Sequence, residues 1–354
     1  MMSSISTITE FLESTGIQLF PFDIGRRISP LGRDSFLRFE KTEEAYPFPL
    51  QRQAWFALVC HREQIGIEPF IWFLRFPLDE QGKLLQATRD DFMHRLMDRL
   101  GEKLQESDEQ QQQSMDNALK DNPYTFKPRE ERMALFHAQV SRLLKKPPSD
   151  FYSHAQEYFA GELGWEQWAF VGYQGIADIA VRFAEGENAK LLNRAIDEAP
   201  LQPLEALCHC LESESIPTLL AQALIARTSN ELENESPDPA LLTATVRGIS
   251  NATDPVLRDQ LITSVLKHPC SANIEILAAV SGRAWEALKS QEVAYLYLER
   301  LAENDSGQEA FSHSLVDLLF LPEMRDSLLQ AMRNPQRSGN LSTAIGNFFQ
   351  SVNG

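Results

Sequence analysis

The sequence predicts two architectures in one chain. A small α+β domain, an antiparallel sheet with covering helices, precedes an all-α solenoid of helical hairpins that is HEAT-like or irregular in its repeat. Three observations predict it. Prolines recur through the second half, at Pro203, Pro217, Pro239, Pro255 and Pro322, each ahead of an apolar segment, where the missing N–H costs nothing and the ring presets the helical φ. Residues 18–77 instead hold short runs of Phe, Ile, Leu, Trp and Val separated by turn-formers, the signature of strands. Between the two patterns lies ESDEQQQQSMDNALKDNP, a polar stretch with little to bury. The expected division is therefore residues 1–105 for the α+β domain, 106–128 for a Gln-rich linker or solvated helix extension, and 129–354 for the helical domain.

In the first domain, residues 5–14 read as a short helix ended by Gly16. Strand-like segments follow around 18–28, 35–41, 53–62 and 69–77. In the second of these, Phe36 and Arg38 alternate with Leu37 and Phe39, as on a half-buried face. The fourth is the most apolar, which predicts a central strand. A helix from Thr88 to Leu104 has Asp90 and Asp91 in its first turn, and Phe92, Leu96 and Leu100 on the face that covers the sheet.

In the second domain, helices are expected over 129–146 and 149–161. Further helices fall near 173–184, 187–198, 203–212, 217–228, 239–249, 255–267, 271–280, 290–303, 307–320, 322–334 and 340–351. Asp238-Pro239 and Asp254-Pro255 place a carboxylate at the N-cap, where it accepts from free backbone donors. Ala294, Tyr297, Leu298 and Leu301 have the i, i+3, i+4, i+7 spacing of one apolar face. Successive pairs start about 30 to 37 residues apart, near the period of HEAT-like or tetratricopeptide-like repeats, without an alignable repeat consensus.

Composition narrows the function classes. With 354 residues, 43% apolar and 23% charged, the chain reads as soluble and globular. No basic, apolar leader precedes Glu10 and Glu13, and the densest apolar run, PFIWFLRFPL, is broken by Arg75 and Pro77, so neither a secretory signal nor a membrane span is expected. Cys60, Cys208, Cys210 and Cys270 are too few for a disulfide framework, which points to the cytoplasm. The net charge is −17, and residues 162–354 hold 13 basic against 26 acidic side chains. That balance repels nucleic acid and attracts a basic protein partner.

No catalytic, cofactor-binding or metal-ligating set emerges. Cys208-His209-Cys210 lies in a helical pattern, where neighbouring side chains diverge and cannot share a tetrahedral ion. Neither GxSxG nor GxxxxGK[ST] occurs. Two constellations stand out as interaction candidates. Asp23, Arg26 and Arg27 flank Gly25, as an anion clamp or as internal ion pairs with Asp23 or Glu40. Trp165, Trp168 and Tyr173, with Gly175, crowd one corner, as an interaction surface or as a cap on the first hairpin.

At these same residues the chain resembles an uncharacterised gammaproteobacterial family, a domain of unknown function. The segments that carry the resemblance are FDIGRR at 22–27, AYPFPLQRQAWFA at 45–57 and GWEQWAFVGYQGIAD at 164–178, and it spans nearly the whole chain. It implies a bacterial cytoplasmic protein and transfers no catalytic residue. The leading expectation is a non-enzymatic scaffold or adaptor for protein partners. The alternatives are an enzyme with a pocket at the domain junction and an RNA- or DNA-associated factor acting through the N-terminal arginines.

Overall fold

The computed structural model describes residues 7–62, 68–100, 119 and 121–353. The chain divides into two compact units, Met1–Arg129 and Glu130–Gly354.

The first unit opens with α1 (Ile8–Ser14), started by Thr7, whose hydroxyl accepts from Glu10 N. A four-stranded sheet follows, built from β1 (Gln18–Asp23), β2 (Ser29–Pro30), β3 (Gln53–His61) and β4 (Phe70–Pro77), in the order β2-β1-β3-β4. Every pairing is antiparallel. Helix α3 (Gln86–Leu100) covers one face through Phe92 and Leu96. Phe92 meets Phe76 at 5.5 Å and Trp72 at 6.4 Å between ring centres, in the edge-on geometry that aromatic quadrupoles favour.

The structure departs from the sequence reading in two places. Residues 35–41 are not a strand: Arg33–Glu40 form α2, which buries Phe36, Phe39 and Glu40. Their i, i+3, i+4 spacing is helical, and it outweighs the short alternation of Phe36 to Phe39. The most apolar strand is also not central. That place belongs to β3, where Phe56 to Cys60 are all buried, while β4 alternates buried and half-buried residues. The outer edge of β4 is covered by residues expected to be linker. Arg75 N donates to Tyr124 O at 2.8 Å, Phe126 N donates to Phe73 O at 3.2 Å, and the Tyr124 ring packs on Phe76. The remainder of the Gln-rich segment, residues 106–118 and 120, lies outside the described residues.

The second unit is helical throughout its described length: α4 (Glu130–Leu143), α5 (Tyr152–Phe159), α6 (Gly172–Val181), α7 (Asn188–Glu198), α8 (Leu201–Leu211), α9 (Thr218–Leu232), α10 (Pro239–Ile249), α11 (Pro255–Lys267), α12 (Ile274–Arg283), α13 (Gln291–Ala302), α14 (Gly307–Leu319), α15 (Arg325–Met332) and α16 (Gly339–Asn353). Alternate helices stack. One layer runs α4, α6, α8, α10, α12, α14, α16, and the other runs α5, α7, α9, α11, α13, α15, with each helix packed on the next of its own layer. This is a solenoid of hairpins, in which each pair buries its apolar faces against its neighbours.

The proline signals resolve locally. Asp238 and Asp254 are N-caps, with Pro239 and Pro255 opening α10 and α11, and their carboxylates accept from Ala240 N and Val256 N, each at 2.9 Å. Pro217 caps α9, Pro203 is the third residue of α8, and Pro322 lies a turn ahead of α15. Ala294, Tyr297, Leu298 and Leu301 are buried together on α13. Among the described residues no helix is long and apolar enough to cross a membrane.

Candidate functional site

Asp23 ends β1, and the chain turns around its carboxylate. Gly25 N donates to Oδ1 at 3.3 Å, and Arg26 N and Arg27 N each donate to Oδ2 at 3.2 Å. The Tyr46 hydroxyl adds a fourth donor to Oδ1 at 2.7 Å. The guanidinium of Arg26 is turned inward, with Nε donating to Pro49 O at 2.8 Å. Arg26 and Arg27 are both buried, at 0% and 8% exposure, so these cations do not present a clamp to solvent. Glu40 serves a different contact: it accepts from Ile8 N at 2.8 Å, from Thr9 N at 3.2 Å and from the Thr9 hydroxyl, fixing the start of α1. A Cβ on Gly25 would lie 3.3 Å from Trp55 Cβ and 3.5 Å from Leu50 Cβ. The segments FDIGRR and AYPFPLQRQAWFA therefore build one internal junction.

The third segment diverges into three environments. Trp165–Phe170 form a 3₁₀ turn in which no residue is buried, and Phe170 is 73% exposed. The turn is anchored at its start, where the Tyr158 hydroxyl donates to Trp165 O at 2.9 Å and the two rings meet edge-on at 5.2 Å. Trp168 is half-buried, and Glu162 and Glu166 beside it are exposed. Gly175 is buried against α5: an added Cβ would meet Phe151 O at 2.8 Å and Ala155 Cβ at 3.1 Å. Tyr173 faces elsewhere. Its phenol is raised by burial and then by Glu131, Glu130 and Cys210, groups of α4 and α8. At the end of the segment Asp178 accepts from Ser149 Oγ at 2.6 Å and Arg182 Nη1 at 3.0 Å.

A cluster that sequence reasoning missed lies across the α4, α8, α10 and α12 layer. Glu212, the C-cap of α8, is 1% exposed, at the helix end whose dipole disfavours an anion. Arg247 Nε lies 2.6 Å from its Oε2, Arg283 Nε 3.0 Å from Oε1, and Arg132 Nη1 3.5 Å from Oε1. Burial pushes the carboxyl up, but Arg283 and Arg247 outweigh it and hold it down at about 2. Glu214 is separately matched, to Arg142 Nη2 at 3.0 Å and Gln139 Nε2 at 2.8 Å. Burial nevertheless leaves its carboxyl above the ordinary value. The three arginine partners of Glu212 are far from it and from one another in sequence, so no local motif announces them.

The remaining chemistry is quiet. Burial pushes the Cys208 thiol up to about 12 and raises Cys210, and it lowers His209 to about 4, helped by Arg247. Cys208 and Cys210 are therefore protonated thiols and His209 a neutral imidazole. His268 Nδ1 and Cys270 Sγ are 2.9 Å apart, yet burial raises that thiol too, the opposite of an activated nucleophile. Among the described residues no group of three or more His, Cys, Asp or Glu side chains is placed to hold a metal ion.

The model of one family, described as a protein of unknown function (DUF3549), matches residues 3–349. No curated protein and no solved structure matches the chain.

Proposed function

We propose that this chain, a member of the DUF3549 family, is a cytoplasmic scaffold or adaptor whose helical unit grips a basic protein segment. The observation that carries this reading is the exposed turn Trp165–Phe170. Two tryptophans and a phenylalanine occupy six residues, none of them buried, and Tyr158 holds the turn in place from below. Large aromatic side chains held rigidly at a surface are the usual anchors of protein interfaces, because they bury much area at small entropic cost. Glu162 precedes the turn and Glu166 lies within it, both exposed, and residues 162–354 as a whole are strongly acidic, which steers a cationic partner. Stacked hairpins supply an extended surface on which such a segment can lie. None of the four cysteines is in a disulfide, which fits a reducing compartment.

The test is site-specific photo-crosslinking in cells from position 170, with position 256 as an equally exposed control. A discrete protein joined at 170, through a segment rich in Lys or Arg, and lost when Trp168 is changed to Ala, supports the reading. Capture through an acidic segment, or capture equal at both positions, would overturn it.

A further inference from the structure

We propose that the outer face of α16 is a contact surface for a second copy of this chain. Helix α16 packs on α13 and α14, and no described helix follows it in its layer. Its inner face is closed by Leu341, Ala344 and Phe348, all buried. Gln308 of α14 ties the helix down, donating to Ala344 O at 3.1 Å and accepting from Asn347 Nδ2 at 3.4 Å. The opposite face, with Ser342, Thr343, Gly346, Asn347 and Gln350, is exposed. Phe349 flanks it with 47% of its surface open, its ring set edge-on to Phe348 at 5.4 Å.

The composition of this face selects its occupant. Residues 338–354 hold no Asp, Glu, Lys, Arg or His, the longest such run in a chain whose net charge is −17. Two molecules of one sign repel as they approach, and least where their surfaces carry no charge. A basic or acidic segment finds no counter-charge on these residues, whereas depletion of charge with an aromatic at the flank is the composition of an interface core. Hydroxyls and amides both donate and accept, so Ser342, Thr343, Asn347 and Gln350 are complementary to their own kind, as a two-fold contact between identical faces requires. Antiparallel pairing about that axis also opposes the two helix dipoles. Gly346 adds a separate indication. It is the eighth of the fifteen residues of α16, an interior position where glycine is costly to the helix. The fold itself does not require it, since an added Cβ would meet nothing within 4 Å. A missing side chain there lets a facing helix come close, because the distance between packed helices is set by the side chains at the contact. The face is independent of the aromatic turn Trp165–Phe170 and of the basic partner proposed for it.

The size of the face sets the kind of dimer. A helix of fifteen residues offers a strip about 22 Å long and about 10 Å wide, too little for an obligate interface. The expected state is a reversible, concentration-dependent pair. Sedimentation equilibrium of the full chain over a range of concentrations, at low and at moderate salt, measures it. A monomer–dimer equilibrium is expected that tightens as salt screens the like charge of the two chains. Phe349→Glu and Gly346→Gln should each weaken it by about tenfold or more, whereas Val256→Glu, a charge placed at another exposed apolar side chain, should leave it unchanged. Gly346→Gln separates association from folding. It fills open space in a helix interior, so the thermal midpoint of the dilute monomer should hold or rise while dimerisation weakens. Circular dichroism reports whether each variant is folded, and should Phe349→Glu unfold, Gly346→Gln decides alone. A chain that stays monomeric at every concentration, a dimer indifferent to Gly346→Gln, association that weakens with salt, or open-ended growth beyond the dimer would each overturn the proposal.

Discussion

The phenol of Tyr46 donates to Asp23 Oδ1 across 2.7 Å, with both side chains closed to solvent. This bond ties the loop after β1 to the segment that leads into β3. Tyr46→Phe keeps the ring packed on Phe39 and removes one charge-assisted hydrogen bond, for an expected loss of about 1.5–3 kcal/mol. The measurement is amide hydrogen exchange at Gly25, Arg26 and Arg27, whose N–H groups share the same carboxylate. Exchange at these amides should accelerate, and unaltered protection would show that Tyr46 does not hold the loop.

Glu212 and Glu40 predict opposite pH slopes. Glu212 titrates at about 2 in the folded state, below the ordinary 4.5. Its contribution is fully present above 4.5 and is lost as pH falls toward 2. Neutralising it at constant pH with Glu212→Gln removes the buried carboxylate shared by Arg132, Arg247 and Arg283, at a cost of about 3–5 kcal/mol. Denaturant titrations between pH 2 and 5 should show a steep loss of stability in the wild type and a flatter profile in the variant.

Burial raises Glu40 to about 7, against the pull of Thr9, the Ile8 and Thr9 amides and Arg89. For a carboxyl shifted upward, the stabilising contribution is complete below 4.5 and disappears as pH rises through 7. The first unit should therefore weaken across that window. Glu40→Gln should remove this dependence when unfolding midpoints are compared at pH 5 and pH 8, and an equal slope in both proteins would place the titrating group elsewhere.

Glycines of the helical unit separate steric need from tolerance. At Gly175 an added methyl would press on Phe151 O and Ala155, so Gly175→Ala is expected to destabilise by about 1–3 kcal/mol. At Gly282 nothing lies within 4 Å of the added atom, so Gly282→Ala should gain about 0.5–1 kcal/mol from helix propensity. Thermal midpoints of the two variants should move in opposite directions.

Legibility of the fold followed the range of the forces involved. Helices α10 and α11 run over the residues expected, because Asp-Pro marks a helix start within two positions. The strand expected over 35–41 is instead the helix Arg33–Glu40, because the alternation of Phe36 and Arg38 with Leu37 and Phe39 is too short to outweigh the helical spacing of Phe36, Phe39 and Glu40. The place of β4 at the sheet edge depends on pairing with β3 and with Thr125, which no local pattern encodes. Among the candidate residues, the crowding at Trp165 and Trp168 was visible, whereas the inward turn of Arg26 required the carbonyl of Pro49, distant in sequence. The arginines around Glu212 have no local signature for the same reason: the four side chains come from four separate helices, and each arginine alone reads as an ordinary surface cation.

The two rims of the sheet have a consequence for life in a concentrated solution. One rim is a two-residue strand ending in Pro30, which has no N–H to offer, and the other is overlaid by Tyr124 to Phe126. Neither side leaves a long ladder of open amides for a foreign strand to copy. Among the described residues this shortens the open edge of an aromatic-rich sheet, a device that works against edge-to-edge association.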